Sequence, residues 1–141
     1  MYNILSYGAV GDGIRLNTKE IQDAINDCSA AGGGTVLIPA GIFKTGTIWL
    51  KSNVELHLEI GATLLASDSL DDYAPEDAYP QNWSPTQEKW RGRHLIIAHE
   101  IENVAITGLG KIDGNCLAYV TQYMPENGPY YVWSNGLTKV K

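Results

Sequence analysis

Basic residues are scarce in this chain, and so are cysteines and long apolar runs. Its 10 Lys and Arg stand against 16 Asp and Glu, and Arg91 with Arg93 is the only close arginine pair. That leaves no basic stripe to track a nucleic-acid backbone, so nucleic acid is not expected as a partner. A polyanionic substrate stays open, because local clefts rather than net charge decide that question. Cys28 and Cys116 lie far apart in unlike contexts and match no metal or redox spacing; Cys28 reads as a small apolar residue on a helix face. No segment approaches the roughly 20 apolar residues that cross a bilayer, and MYNILSYGAVGDG has no basic region leading into an apolar run. No membrane partner is expected; localisation stays unassigned, since a leader could have been removed. His57, His94 and His99 lack a recognised metal spacing, and the GDG and GGG groups do not carry a strand into a helix as phosphate loops do. Neither a metal nor a cofactor is therefore expected.

What the 141 residues do contain is a run of short strands, enough for one domain. From Thr35 to Ser67 apolar residues alternate at Val36 and Ile38, at Ile48 and Leu50, at Val54, Leu56 and Leu58, and at Leu64 and Ala66. The breaks between them, PAG, TG, KSN and IGA, are too short for crossover helices and lack the Asn-Gly or Asp-Gly pairs of tight hairpins. Such a chain winds rather than folding back. Before this run, residues 3 to 10 read as a first strand closed by the loop Gly11-Asp12-Gly13. Residues 17–31 follow as one amphipathic helix with Ile21, Ala24, Ile25 and Cys28 on a face. Asn17 and Glu20 form a candidate capping box, and Gly32-Gly33-Gly34 a candidate stop.

The motif Asn53-Val54-Glu55-Leu56 returns as Asn103-Val104-Ala105-Ile106, each copy followed by a second short strand, at 62–66 and at 111–113. That separation is too long for one bare solenoid turn. The excess falls in 68–93, a stretch with prolines and tryptophans and no strand pattern, which reads as a loop inserted between turns. Stacked turns bury one continuous apolar column. The helix covers one end of it; the last residues supply no such cover, so an open edge and association with a second copy, a homo-oligomer, are expected there.

The series Tyr7-Gly8-Ala9, Gly11-Asp12-Gly13, Asn17-Thr18, Ile21-Gln22, Ala24-Ile25, Gly33-Gly34, Ile38-Pro39, Leu50-Lys51-Ser52-Asn53-Val54, Gly61-Ala62, Ile106-Thr107-Gly108 and Ile112-Asp113-Gly114 resembles the amino-terminal part of polygalacturonase-like glycoside hydrolases of family 28. The resemblance implies an all-β fold, a right-handed parallel β-helix with a short N-terminal capping helix. It implies an inverting hydrolase of pectin-like acidic polysaccharide, needing two carboxyl groups roughly 6.5–9.5 Å apart. The family's Asn-x-Asp, Asp-Asp, Gly-His-Gly and Arg-x-Lys motifs lie downstream of the matched region and have no counterpart here. No catalytic residue is assigned, and the 141 residues alone are expected to be inactive. Asp68, Asp71, Asp72, Glu76 and Asp77 read as a solvated acidic loop, and Asp113 as an Asx turn. Candidate substrate contacts are Trp83, Trp90, Arg91 and Arg93: indoles stack on sugar faces, and arginine's fork suits a uronate carboxylate. Trp90 looks like a family tryptophan that lies close to the substrate cleft.

Overall fold

The computed structural model describes residues 1–76, 93–123 and 130–133, and of 120–123 and 130–133 the backbone alone. The chain winds, and successive turns add strands to three sheets. Sheet A stacks β1 (Tyr2–Asn3), β3 (Gly34–Ile38), β6 (Val54–Leu58) and β9 (Ala105–Gly108). Sheet B stacks β2 (Asp12–Leu16), β4 (Gly41–Thr45), β7 (Ala62–Ala66) and β10 (Lys111–Asp113). Sheet C pairs β5 (Ile48–Trp49) with β8 (Ile96–Ile97). Every pairing within these sheets is parallel. This is a parallel β-helix, as the short breaks require.

Register turns the sequence alternation into a core. Val36 lies under Leu56 and Leu56 under Ile106 in sheet A, while Phe43, Leu64 and Ile112 align in sheet B. Val36, Leu56, Phe43 and Leu64 are at most 1% exposed, and burying each stabilises the fold by about 1.5–3 kcal/mol. The Asn-Val repeat is the corner between sheets C and A. Asn53 and Asn103 both sit at left-handed φ, 64° and 53°, which Asn tolerates better than most residues. Asn103 Nδ2 donates to Asn53 Oδ1 at 3.0 Å, so the repeated residues stack one turn apart.

The helix α1 (Thr18–Ala30) follows β2, so in the first turn it stands between sheets B and A, where later turns place sheet C. Ile21, Ala24, Ile25 and Cys28 are buried, and α1 packs against β1, β3, β5 and β6. Gln22 caps the edge of sheet C: its amide donates to Trp49 O at 3.0 Å and accepts from Trp49 N at 2.8 Å, satisfying both backbone groups of an edge residue. Gly32, Gly33 and Gly34 all take positive φ after the helix, as expected of its stop. The capping box does not form. Asn17 makes no side-chain cap bond; its fully buried amide instead accepts from Val10 N at 2.7 Å and donates to Val10 O at 3.1 Å and Arg15 O at 2.8 Å. Asn17 thus closes the 10–17 loop on itself, and Glu20 pairs with Arg15 at 3.3 Å.

The start of the chain also differs from the strand expected over 3–10. The strand is Tyr2–Asn3 only, because Asn3 Oδ1 accepts from Leu5 N at 2.9 Å and starts a 3-10 turn over Ile4–Tyr7, which Gly8 ends at φ 93°. β2 then begins within the expected GDG loop, at Asp12. At the other end, β11 (Val120–Tyr123) and β12 (Tyr130–Trp133) pair antiparallel, a fold-back beyond the wound region. The two cysteines are free, Cys28 buried and Cys116 exposed.

Candidate functional site

The long insertion leaves the helix at one corner. β7 ends at Ala66 and β8 begins at Ile96, and the described stems 67–76 and 93–95 leave and rejoin the passage from sheet B to sheet C. Its two stems are anchored where they leave and return. Ser67 is fully buried: its N donates to Thr45 O at 2.8 Å, its hydroxyl donates to Asp72, and its carbonyl accepts from Tyr73 OH at 2.7 Å and from Tyr119 OH. Those bonds hold a 3-10 turn, Leu70–Asp72, against Gly46, where an added Cβ would lie 1.8 Å from Asp72 O. Only glycine fits at Gly46.

On the returning stem, Arg93 N donates to Ala74 O at 2.8 Å and Ile48 N donates to Leu95 O at 2.8 Å. Arg93 takes φ 58°, a conformation that costs a non-glycine residue on the order of 1 kcal/mol and persists only where its surroundings dictate it. Between the stems lies a cavity of about 210 Å³. Leu70, Tyr73, Arg93 and Leu95 line it from the stems, and Ala66, Gly114 and Tyr119 from the rungs beneath.

Two tyrosine hydroxyls and one cation mark the described wall of this cavity, with the carboxylates of Asp68 and Asp72 near enough to act on both tyrosines. Burial pushes the hydroxyls of both Tyr73 and Tyr119 above the ordinary tyrosine value, so both stay neutral donors at physiological pH. Among the described lining residues the guanidinium of Arg93 is the only charged group, and no ion pair joins it to a carboxylate of the described residues. An apolar wall with one cation and aromatic rings suits a sugar that carries a carboxylate.

Of the four expected substrate contacts, Arg93 lines this cavity; Trp83, Trp90 and Arg91 lie outside the described residues. Of the acidic stretch, Asp71 and Glu76 are exposed, while Asp68 and Asp72 have partners. Asp68 pairs with Lys44 at 3.4 Å and its carboxyl is held below the usual range by its own backbone amide and then by that lysine. Asp72 accepts from Ser67, and Asp77 lies outside the described residues. Neither placement gives a carboxyl pair facing a common ligand. Asp113 accepts from Asn115 N at 2.9 Å, the expected Asx turn. Sequence reasoning missed Ser67, Tyr73 and Tyr119: the first two meet within the departing stem and Tyr119 reaches Ser67 from the turn above, and no strand or helix period marks them.

A second polar cluster lies on the outer face of sheet A. Thr35 Oγ1 donates to Glu55 at 2.9 Å, Thr107 Oγ1 donates to Glu55 at 2.5 Å, and His57 Nδ1 lies 2.8 Å from Thr107 Oγ1. The threonine hydroxyls, Thr107 first, lower the Glu55 pKa. The cluster stitches three turns together. Among the described residues no group of three His, Cys, Asp or Glu side chains is placed to hold a metal ion, and no helix is long and apolar enough to cross a membrane.

Comparison with known proteins agrees with this architecture. Residues 1–123 match the family model described as rhamnogalacturonase A/epimerase, pectate lyase-like. Over 121 residues the chain is 45% identical to the exo-poly-alpha-D-galacturonosidase of Dickeya chrysanthemi, a match covering 80% of this chain and 19% of that protein. Its fold is similar to the family 28 exopolygalacturonase of Yersinia enterocolitica, at TM-score 0.70 and 39% identity, covering 94% of this chain and 25% of that one. It is also similar to the hyperthermoactive exopolygalacturonase of Thermotoga maritima, at TM-score 0.67 and 36% identity, covering 80% and 24%. The chain thus spans about a fifth to a quarter of the length of these relatives.

Proposed function

Because the chain belongs to the rhamnogalacturonase A/epimerase, pectate lyase-like family, we propose that it is the amino-terminal part of a glycoside hydrolase acting on polygalacturonate or a related acidic polysaccharide. In this reading the 141 residues build and cap the β-helix and contribute a uronate contact at Arg93. The carboxyl groups that cut the glycosidic bond lie outside them. The observation that carries the reading is the cavity at the corner between sheets B and C, where Arg93 supplies the one charged side chain among the described lining residues. Trp83, Trp90 and Arg91 belong to the same insertion and are proposed as further sugar contacts.

The test separates binding from cutting. The 141-residue chain binds a galacturonate oligomer, binds its neutral galactose counterpart at least tenfold more weakly, and releases no reducing sugar above a heat-killed control. Equal affinity for the two oligomers removes the role of Arg93, and reducing-sugar release removes the assignment of the carboxyl groups elsewhere.

A second reading concerns association of the chain as it stands. In the last wound turn Ile106 and Ile112 remain 45% and 43% exposed although they continue the buried columns, and Leu109 is 82% exposed. We propose that this end pairs with a second copy through the edges of β9 and β10 that no described strand covers. Light scattering then gives a dimer or larger species that Ile106→Lys reduces to a monomer. A clean monomer of the unaltered chain at high concentration contradicts it.

A further inference from the structure

The cavity at Arg93 depends on a residue that does not line it. Thr47 is 5% exposed and belongs to the turn below, just ahead of β5. Its hydroxyl donates to His94 O at 2.6 Å and accepts from Ala74 N at 2.9 Å. One side chain therefore grips both stems of the insertion, the departing one at Ala74 and the returning one at His94. Arg93 N donates to Ala74 O directly above this grip, which joins the stems into a closed clasp.

We propose that Thr47 is the positioning residue of the site: it fixes the backbone at Arg93 in its left-handed conformation and so aims the guanidinium into the cavity. This rests on the uronate-binding reading for its ligand, and on the clasp geometry alone for its mechanism. The hydroxyl is needed because the Ala74 N–H and the His94 C=O both turn toward a side chain that is itself buried, and each requires a partner there. A methyl in its place leaves both unsatisfied. Phenols pin the departing stem separately through the Ser67 carbonyl, so losing the clasp frees the returning stem, which carries Arg93.

The experiment compares Thr47→Val, which keeps the shape and removes the hydroxyl, with Thr47→Ser, which keeps the hydroxyl; Thr47→Ala replaces Val should that variant misfold. Two quantities are read: hydrogen exchange at the Ala74 and Arg93 amides, and affinity for a galacturonate trimer beside a galactose trimer. In Thr47→Val both amides exchange about tenfold faster or more, galacturonate affinity falls about tenfold, and the preference over galactose shrinks. Thr47→Ser stays within about twofold of the unaltered chain on both measures. Unchanged exchange in Thr47→Val overturns the clasp whatever the sugar does. Faster exchange with unchanged affinity overturns the positioning role while the uronate reading stands. If the unaltered chain binds the two trimers alike, or Arg93→Ala keeps the full preference for galacturonate, the uronate reading fails, and faster exchange in Thr47→Val still upholds the clasp as what fixes Arg93.

Discussion

Two corners of this β-helix solve the same problem in opposite ways. Between sheets A and B the chain turns through Pro39-Ala40, then Glu59-Ile60-Gly61, then Leu109-Gly110, and backbone bonds zip each turn to the last: Glu59 N to Ile38 O, Gly110 N to Leu58 O. Between sheets B and C it turns through Gly46-Thr47 once, and in the next turn 29 residues separate β7 from β8, of which the stems 67–76 and 93–95 are described. The first corner needs close backbone approach, and glycine supplies it. At Gly108, φ is 100° and an added Cβ would lie 1.9 Å from Leu58 O. The second corner needs polar side chains to hold stems that no strand holds, and Ser67, Thr47, Tyr73 and Tyr119 supply them. A regular corner stacks, whereas an irregular one can carry a site.

The largest effect comes from the column both corners share. Phe43→Ala removes the biggest buried side chain of sheet B and costs about 3–5 kcal/mol, measured by denaturant unfolding with both corners lost together. Next come the glycines, which separate the corners. Gly108→Ala and Gly46→Ala each force backbone apart and cost about 1–3 kcal/mol, but only Gly46→Ala displaces the Leu70–Asp72 turn and weakens uronate binding. If both variants weaken binding equally, the corners are not independent. Arg93→Ala leaves stability within about 0.5 kcal/mol, because the side chain is exposed, yet reduces galacturonate affinity roughly tenfold or more in a calorimetric titration.

The smallest effect is in pH and spares the contrast. Glu55, Asp12, Asp68 and Asp113 titrate below their ordinary values of 4.5 and 3.8 because hydrogen bonds favour their charged forms. Folded values lower than unfolded ones add stability that is present in full above those ordinary values and is lost as pH falls through the lowered ones. Unfolding midpoints therefore drop below about pH 4. Glu55→Gln makes that drop shallower and leaves sugar affinity at neutral pH unchanged.

What could be read from the chain alone divides along the same line. Val36, Leu56 and Leu64 alternate in strict period, so these strand positions and the parallel winding were legible. The Asn53 and Asn103 repeat is legible too, because the stacking that demands it recurs each turn. Asn17 misled, since an Asn before a helix has two uses, and only the fold shows that Val10 and Arg15 claim its amide. Thr47, Ser67, Tyr73 and Tyr119 were invisible for a related reason. The partners of Thr47 and Tyr119 lie a turn away, Tyr73 and Ser67 meet in a stem without period, and nothing local distinguishes a threonine that grips two stems from one that faces solvent.

The contrast is tested most directly by amide chemical shifts during titration with a galacturonate trimer. The account predicts that Ala74, Arg93, Leu95 and Gly114 move in a saturable way, that residues 59–61 and 109–110 stay still, and that a galactose trimer at the same concentration moves neither set. Shifts centred on the corner between sheets A and B, or equal shifts with the neutral trimer, contradict it.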